Sequence, residues 1–337
     1  MIKISKVDIK EYSKKFNLKT NLSSEKHSTR KGFYLKIYGG DIYGIGESAP
    51  IPGVSLESLE SVGYALQGFK LAVQDLNYNV NIEELLLLSR VHGHGLPSVI
   101  FCLESAIYDL FSKLTESPIA SLLNPSYLPQ ININCIDSKF STIEKKIANV
   151  IKIKMNSSNP DVVKNKIEEV LKTCKSSVKI RLDFNGILNF FEAKKIFHVI
   201  RNYNIDYVEQ PFAPKNLKDV TRLREITEIK IALDESVDDF FSIKNVVEKK
   251  IVDTIIIKPT LIGGFNDIKK INEYCKKNNV RIILTSSFET EIAQNYIIHL
   301  ISALEIKEYC GVANIELFSK SQNRRDDDKI TLPKSLR

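Results

Sequence analysis

From about residue 130 onward, apolar and polar positions follow one repeated pattern. In each repeat a short β-branched run ends in a charged or polar residue, and a helical segment of about 15 residues follows. The runs lie at residues 131–135, 150–155, 178–184, 206–210, 229–235, 254–258 and 281–287. The pattern therefore predicts strands that alternate with helices.

Strands that are nearly all apolar predict a parallel sheet covered by helices. A doubly wound sheet and a closed barrel both satisfy this requirement. The barrel is favoured because strand after strand ends on an ionisable residue, and a barrel brings its strand ends together at one mouth. These residues are Lys154, Asp183, Glu209, Asp234 and Lys258. We expect an α/β fold with a TIM-like barrel over residues 130–310.

Residues 1–129 have a different pattern, which predicts an α+β capping domain. Strand-like stretches lie at residues 3–12, 33–37 and 43–46, and helices are predicted to begin near Ser55 and near Pro97. The polar segment 20–32 and the turn-rich segment 47–53 are predicted to be mobile loops that cover a site. Residues 311–337 are predicted to form a C-terminal segment that returns toward the cap.

Composition and charge exclude several classes of protein. Hydrophobic residues make up 43% of the chain, and 48 Lys and Arg against 41 Asp and Glu leave a net charge of +7. This small excess suits an anionic substrate and is unlike a nucleic-acid-binding arm. No apolar stretch approaches the roughly 18 residues of a membrane span, and no targeting sequence is visible. We expect a cytoplasmic protein that binds neither nucleic acid nor membrane; its oligomeric state stays open.

The five cysteines give no sign of a disulfide framework or of a thiolate metal site. They are odd in number, lie far apart and form no Cys-x-x-Cys pair. Any metal chemistry must therefore be sought among other side chains.

Three carboxylates, those of Asp183, Glu209 and Asp234, stand at the ends of three successive predicted strands. Barrel geometry would bring them together at the mouth. Hard oxygen ligands without a nearby His or Cys suit a Mg²⁺ ion that keeps open positions for substrate oxygens. The alternative is that each carboxylate caps the following helix or pairs with a surface lysine. Three of them in register favour the metal site.

Lysines are predicted on both sides of this metal site. Lys152 and Lys154 are two residues apart on one strand, so their side chains point to the same side, and Lys258 ends a strand across the ring. Cations inside a barrel are costly unless they face acidic groups or an anionic ligand. The arrangement suits removal of a proton next to a carboxylate and stabilisation of the resulting enediolate. The lysine that removes the proton must itself be unprotonated, and a neighbouring cation favours this because it lowers the pKa of that lysine.

These strand ends resemble those of the enolase superfamily and, within it, those of the o-succinylbenzoate synthases of menaquinone and phylloquinone biosynthesis. The similar stretches are Lys152-Ile153-Lys154, Arg181-Leu182-Asp183-Phe184-Asn185, Val208-Glu209-Gln210-Pro211, Ala232-Leu233-Asp234-Glu235-Ser236 and Ile257-Lys258-Pro259-Thr260-Leu261 with Gly263-Gly264. Residues 46–53 and 96–99 are similar to capping-domain sequences of the family. The resemblance covers all but the C-terminal tail and implies a (β/α)7β barrel with an N-terminal α+β cap.

The resemblance also implies the roles of individual residues. Asp183, Glu209 and Asp234 would bind Mg²⁺, for which Mn²⁺ is a substitute. Lys154 would be the acid and base, and Lys258 would face it and stabilise the enediolate. The position of Lys152 beside Lys154, rather than the resemblance, gives Lys152 its catalytic role of lowering the pKa of the base. Substrate contacts would fall at Arg181, Thr285, Ser286, Ser287 and Gly311. The substrate would be a small dicarboxylate, 2-succinyl-6-hydroxy-2,4-cyclohexadiene-1-carboxylate, dehydrated by syn elimination to 2-succinylbenzoate.

Two other functions stay open on the sequence alone. Another member of the superfamily, such as an N-acylamino acid racemase, a dipeptide epimerase or a cycloisomerase, would use the same lysines and carboxylates. A non-catalytic protein that binds a polyanion would belong to a different class. The net charge of +7 is the one feature in its favour, and the lysines are scattered among acids rather than clustered with aromatic residues.

Overall fold

The structure is a computed structural model that describes residues 1–22, 25–137, 146–312, 325–326 and 328–332. Residues 1–114 form a strand-rich N-terminal unit, called the cap below. The parallel sheet and the helices from residue 135 to residue 312 form a second unit, called the barrel. None of the described helices combines the length and the apolar character that crossing a bilayer requires.

The cap is a three-stranded antiparallel sheet with helices packed on it. The strands, in the order β1-β2-β3, are β1 (Lys6–Leu22), β2 (Glu25–Gly39) and β3 (Ile42–Ser48). The helices are α1 (Leu59–Gln74), α2 (Ile82–His92) and α3 (Pro97–Leu114), and a short α4 (Ile119–Leu123) follows. Apolar side chains three or four residues apart along α1 pack on the sheet: Val62, Leu66, Phe69 and Val73.

Parts of the cap differ from the prediction. Of the segment 20–32, expected to be a loop, residues 20–22 and 25–32 belong to the long strands β1 and β2, and residues 20–22 pair with residues 25–27. The segment 47–53 begins inside β3, and Glu47 and Ser48 are buried. The first helix begins at Leu59 rather than near residue 55 because Ser58 caps it. The predicted start of a helix near Pro97 is confirmed.

The barrel contains the predicted parallel sheet. After β4 (Gln130–Asn132) come β5 (Cys135–Ile136), β6 (Val150–Lys154), β7 (Lys179–Asp183), β8 (Ile205–Glu209), β9 (Ile231–Leu233), β10 (Thr254–Ile257) and β11 (Arg281–Leu284). Strands β5 to β11 form one seven-stranded sheet in chain order. The helices that follow these strands are α5 (Pro160–Leu171), α6 (Phe190–Ile200), α7 (Leu217–Arg224), α8 (Phe240–Glu248), α9 (Pro259–Ile262), α10 (Phe265–Lys277) and α11 (Glu291–Ala303).

Residues 310 and 311 join the two edges of this sheet. Cys310 forms a parallel bridge with Ile133, and Gly311 forms one with Thr285. The N–H of Gly311 donates to the carbonyl of Leu284, and the N–H of Cys310 donates to that of Asn132, each over 2.9 Å. The sheet therefore curls into a closed barrel, as predicted, and not into an open doubly wound sheet.

The first predicted barrel strand, residues 131–135, is divided between two sheets. Its first half, β4, pairs antiparallel with β13 (Lys329–Thr331), which also pairs with β12 (Arg325–Asp326). Its end continues into β5. Of the predicted C-terminal segment 311–337, residues 313–324, 327 and 333–337 lie outside the described residues.

Among the described barrel helices, four are preceded by a residue whose side chain accepts a hydrogen bond from the first turn. These N-caps are Asn159, Asn189, Asn216 and Asp239. By contrast, neither Gly264, before α10, nor Thr290, before α11, supplies a side-chain cap. The first N–H groups of these two helices need partners from elsewhere.

Strand β3 and helix α3 touch at two glycines. A Cβ atom added at Gly44 would lie 1.9 Å from the carbonyl oxygen of Ala106, and one added at Gly46 would lie 2.0 Å from that of Cys102. Both distances are far shorter than van der Waals contact. A side chain at either position would push the strand and the helix apart.

We therefore expect Gly46→Ala to lower the free energy of unfolding by about 1–3 kcal/mol, the usual cost of overpacking. The measurement is urea unfolding followed by circular dichroism. Gly68→Ala is the matched control: Gly68 lies inside α1, its added Cβ would meet only the ring of His92, at 3.0 Å, and alanine favours the helix. If Gly46→Ala were as stable as the wild type, the close contact would be wrong.

Candidate active site at the barrel mouth

The strand register places the predicted site residues in two rows. At the carboxyl ends of the strands, Lys154 lies opposite Asp183, and Asp183 lies opposite Glu209. Two residues deeper, Lys152 lies opposite Arg181. Asp234 and Lys258 directly follow β9 and β10. Because parallel strands of a barrel end at the same mouth, these charges face one space.

Lys152 joins two of the carboxylates. Its Nζ lies 3.0 Å from Oδ2 of Asp183 and 2.6 Å from Oε1 of Glu209. Burial disfavours the charged lysine, but the two carboxylates outweigh burial and raise its pKa. Burial also disfavours ionised Asp183, but Lys152 and Lys154 outweigh it and lower the pKa of this carboxyl. Lys152 is thus held as a cation inside the ring of strand ends.

Glu209 has one carboxylate oxygen paired with Lys152 and one oxygen without a partner. It is completely buried, and its Oε2 has no hydrogen-bond partner. Burial, reinforced by the nearby charges of Asp183 and Asp234, raises its pKa. As the side chains stand, no group of three or more His, Cys, Asp and Glu within the described ranges is arranged around one metal position. The orphaned oxygen and the hard oxygen donors nevertheless fit a divalent cation.

The two other lysines lie on strands far apart in the sheet. The Nζ of Lys258 lies 2.6 Å from Oδ2 of Asp234. Burial disfavours its charge, but Asp234 and Glu235 outweigh burial and raise its pKa. Lys154 is exposed at the end of β6, and no hydrogen bond or ion pair joins it to another described residue. One lysine is therefore paired and the other is accessible.

The predicted substrate-contact residues fall into two groups. Thr285, Ser286, Ser287 and Gly311 lie together beside the barrel closure. Ser287 is buried, and its hydroxyl has no hydrogen-bond partner. Arg181 lies in the deeper row, where its Nε donates to Asp206 over 2.8 Å and its Nη1 donates to the carbonyl of Tyr309 over 2.6 Å. These two hydrogen bonds fix the guanidinium of Arg181 inside the barrel.

Two residues that the sequence did not single out support the strand ends. The side-chain oxygen of Gln210 accepts hydrogen bonds from the N–H groups of Asp234 and Ser236, over 3.1 and 3.2 Å. Gln210 also has a φ of +39°, an uncommon conformation for a residue other than glycine. Its position next to Glu209 was the available signal, since the residue after a strand end is placed to contact the neighbouring strand.

Glu289 is the second such residue, and it links two segments of the mouth. Its Oε1 accepts a hydrogen bond from the hydroxyl of Thr260, over 2.7 Å, and its Oε2 accepts one from the N–H of Ser287, over 2.6 Å. Thr260 follows Lys258 by two residues. Nothing in the sequence distinguishes Glu289 from a surface acid, because one partner, Thr260, lies in α9, far from it in the chain.

The arrangement can bind anions and move protons. The carboxylates are suited to binding a divalent cation, and the ammonium groups close to them are suited to binding a negatively charged substrate at the same site. An accessible lysine on one side and a paired lysine on the other can exchange a proton with a bound molecule and face the charge that develops on it.

Comparisons with known proteins show the family to which the chain belongs. Residues 139–333, more than half of the chain, match the sequence profile of the family described as "Enolase C-terminal domain-like", and residues 4–110 match that of "MenC, N-terminal domain". An o-succinylbenzoate synthase of Vibrio cholerae serotype O1 (strain M66-2) is 26% identical over 317 residues, which cover 88% of this chain and 85% of that protein.

Epimerases are also similar to this chain. A hydrophobic dipeptide epimerase of Enterococcus faecalis is 24% identical, covering 78% of this chain and 76% of its own. A crystal structure of dipeptide epimerase from E. faecalis V583, complexed with Mg and the dipeptide L-Leu-L-Tyr, superposes with a TM-score of 0.84 at 19% identity, over 99% of this chain and 98% of that one. The chain belongs to the enolase superfamily.

Proposed function

We propose that this chain is an o-succinylbenzoate synthase, which removes water from 2-succinyl-6-hydroxy-2,4-cyclohexadiene-1-carboxylate to give 2-succinylbenzoate. The observation that carries the proposal is the match of the cap to the MenC N-terminal domain, the family of these synthases. The Vibrio cholerae synthase supports it, because it is similar over both cap and barrel. The product would serve menaquinone or phylloquinone biosynthesis.

Asp183, Glu209 and Asp234 are proposed to hold Mg²⁺, with Mn²⁺ as a substitute. The orphaned oxygen of Glu209 supports this assignment, because a buried carboxylate oxygen without a partner is costly. The Enterococcus faecalis structure named above was crystallised with Mg. When bound, the ion would offset the charge of the carboxylates and of a substrate carboxylate, and so acidify the neighbouring C–H bond.

Lys154 is proposed to remove the proton. It is the accessible lysine of the mouth, so its Nζ can approach a substrate without breaking an ion pair. Lys258, held 2.6 Å from Asp234, would face the enediolate as a cation. Lys152 would remain between Asp183 and Glu209 and offset part of their charge.

One lysine would serve both halves of the dehydration. Lys154 takes the proton from ring carbon 1, next to the carboxylate, and the electrons of the broken C–H bond pass into the enediolate. These electrons then form the double bond between carbons 1 and 6, and the bond from carbon 6 to the hydroxyl breaks. The hydroxyl leaves as water with the proton of Lys154, which becomes neutral again. The ring becomes aromatic, and no oxidant or reductant is needed.

Epimerisation of dipeptides or racemisation of acylated amino acids is the second candidate. The Enterococcus faecalis epimerase favours it, since it covers much of this chain and shares its fold. Both Lys154 and Lys258 would have to exchange protons with the substrate in that reaction, one on each face, whereas dehydration uses Lys154 alone. The two functions are therefore distinguished by what Lys258 does.

We expect Lys154→Ala to lower the rate of dehydration by at least about 10²–10⁴-fold, the usual contribution of a positioned acid or base. The measurement is the loss of diene absorbance in the ultraviolet with Mg²⁺, compared with an EDTA-treated sample and with spontaneous decay. Lys179→Ala is the matched control, because Lys179 lies exposed at the other end of a barrel strand. Near-native turnover by Lys154→Ala would refute the assignment.

Mg²⁺ should stabilise the wild type against heat, by about 2.7 kcal/mol at 100 times the dissociation constant. Glu209→Gln should reduce this gain because it removes a charged ligand. Differential scanning fluorimetry with and without Mg²⁺ measures the gain without any substrate. Glu273→Gln on the exposed face of α10 should gain as much as the wild type. An equal gain in Glu209→Gln would remove this residue from the metal site.

The second candidate predicts a different outcome for Lys258. In D₂O, an epimerase should exchange the α-proton of both stereoisomers of a dipeptide or of an acylated amino acid, and Lys258→Ala should abolish exchange from one of them. NMR or mass spectrometry follows the exchange. A synthase should convert the diene instead. Wild-type protein that exchanges both stereoisomers and leaves the diene to its spontaneous decay would replace the proposed function by this one.

A further inference from the structure

Two buried carboxylates of the cap contact the starts of two barrel helices. Glu47, at the end of β3, has no exposed surface, and Glu104, in α3, is 2% exposed. They contact α11 and α10, two helices whose preceding residues supply no side-chain cap. A carboxylate at a helix N-terminus satisfies free N–H groups and interacts favourably with the helix dipole.

Glu47 makes several hydrogen bonds to the start of α11. Its Oε1 accepts one from the N–H of Thr290 over 3.0 Å, and its Oε2 accepts from the Thr290 hydroxyl over 2.6 Å and from the N–H of Ala293 over 3.2 Å. The hydroxyl of Tyr12 donates to Glu47 from the cap side, and that of Tyr34 donates to Thr290 over 3.1 Å. A side chain of the cap thus acts as the N-cap of a barrel helix.

Glu104 does the same for α10. Its Oε2 accepts a hydrogen bond from the N–H of Phe265 over 2.8 Å, and Arg90 of α2 pairs with its Oε1 over 2.8 Å and with Asp267 of α10 over 2.6 Å. A Cβ atom added at Gly264 would lie 2.0 Å from Oε2 of Glu104. Glycine at position 264 is therefore what allows the carboxylate to reach the helix.

The two carboxylates are fixed relative to each other. Glu47 is carried by β3 and Glu104 by α3, and these elements are in contact at Gly44 and Gly46, where no Cβ atom fits. The cap therefore presents both carboxylates as one rigid block. If one of them is seated on its helix, the position of the other is set as well.

Both helices follow segments that belong to the mouth. The short α9 and Gly263 separate Lys258 from α10, and residues 285–290 separate β11 from α11. Glu289 joins these two segments through Thr260 and Ser287. Whatever fixes the starts of α10 and α11 therefore also limits the movement of Lys258 and of residues 285–287.

We propose that Glu47 and Glu104 are positioning residues: together they dock the cap on the starts of α11 and α10 and thereby hold the segments after β10 and β11 in place for a bound substrate. Docking is independent of which reaction the barrel performs. The effect on turnover rests on the proposed synthase function.

The test compares Glu47→Gln and Glu104→Gln in the full-length protein with Mg²⁺. Glu57→Gln is the matched control: Glu57 is also buried in the cap, at 8% exposure, but it accepts a hydrogen bond from the N–H of Ser98, over 2.9 Å, inside the cap itself. Hydrogen exchange measured by mass spectrometry reports the starts of α10 and α11. We expect exchange to be roughly tenfold faster at α11 in Glu47→Gln and at α10 in Glu104→Gln. Glu57→Gln should leave both unchanged.

Kinetics with the cyclohexadiene substrate give the second readout. Both docking variants should raise KM about tenfold with a smaller change in kcat, since they loosen the binding segments and leave Lys154 in place. Glu57→Gln should change neither constant. A wild type without turnover of this substrate would overturn the proposed function, and the exchange measurement would still decide docking.

A double-mutant cycle covers the case in which a single variant is generally unstable. Gly264→Ala should speed exchange at α10 in the wild type, because the added methyl group displaces Glu104, and should add nothing in a Glu104→Ala background. Docking would be overturned by additive effects in this cycle or by unchanged exchange in both glutamine variants. It would also be overturned if Glu57→Gln accelerated exchange equally at both helices. Faster exchange with unchanged KM and kcat would overturn the positioning role.

Discussion

The charges inside this protein must be paired, and much of the structure depends on that requirement. A buried carboxylate or ammonium group is costly unless an opposite charge or a set of hydrogen bonds compensates it. At the barrel mouth, Lys152 compensates Asp183 and Glu209, and Lys258 compensates Asp234. Each pair joins different strands, so the charges can be compensated only when the barrel is assembled. The arrangement of the charges at the mouth and the folding of the barrel are therefore coupled by electrostatics.

The same requirement shapes the contact between cap and barrel. Glu47 and Glu104 are buried, and helix N-termini compensate their charge, Arg90 adding to this for Glu104. Such contacts are directional, because N–H groups at a helix start point along its axis. An apolar interface could slide, whereas two carboxylates on one rigid block define a single position of the cap. The glycines at positions 44, 46 and 264 follow from this, since each makes room for a contact that a Cβ atom would prevent.

The mouth also explains why related reactions share one scaffold. Proton removal next to a carboxylate needs a base, a cation to offset the second negative charge and an enclosed space. In both functions considered above, strand ends β6 to β10 would supply the charged groups, whether the product is an aromatic ring or an inverted stereocentre. Under that proposal, the choice of substrate would come from the segments beside them and from the cap. That is why the match of residues 4–110 to the profile "MenC, N-terminal domain" weighs more in the proposed function than the barrel does.

The sequence by itself determined the alternation of strands and helices, the closed barrel and the set of charged strand ends, because these depend on periodicities of two and 3.6 residues and on the common direction of parallel strands. It did not determine the long strands β1 and β2, since the polar segment 20–32 carries no apolar alternation, and its residues 20–22 and 25–27 are strands only through their pairing with each other. Nor did it show that residues 131–135 serve two sheets, or that Glu47, Glu104 and Glu289 are buried. These features arise from contacts between residues far apart in the chain. Only the tertiary structure therefore decides which acidic side chains are buried and which groups form hydrogen bonds with them.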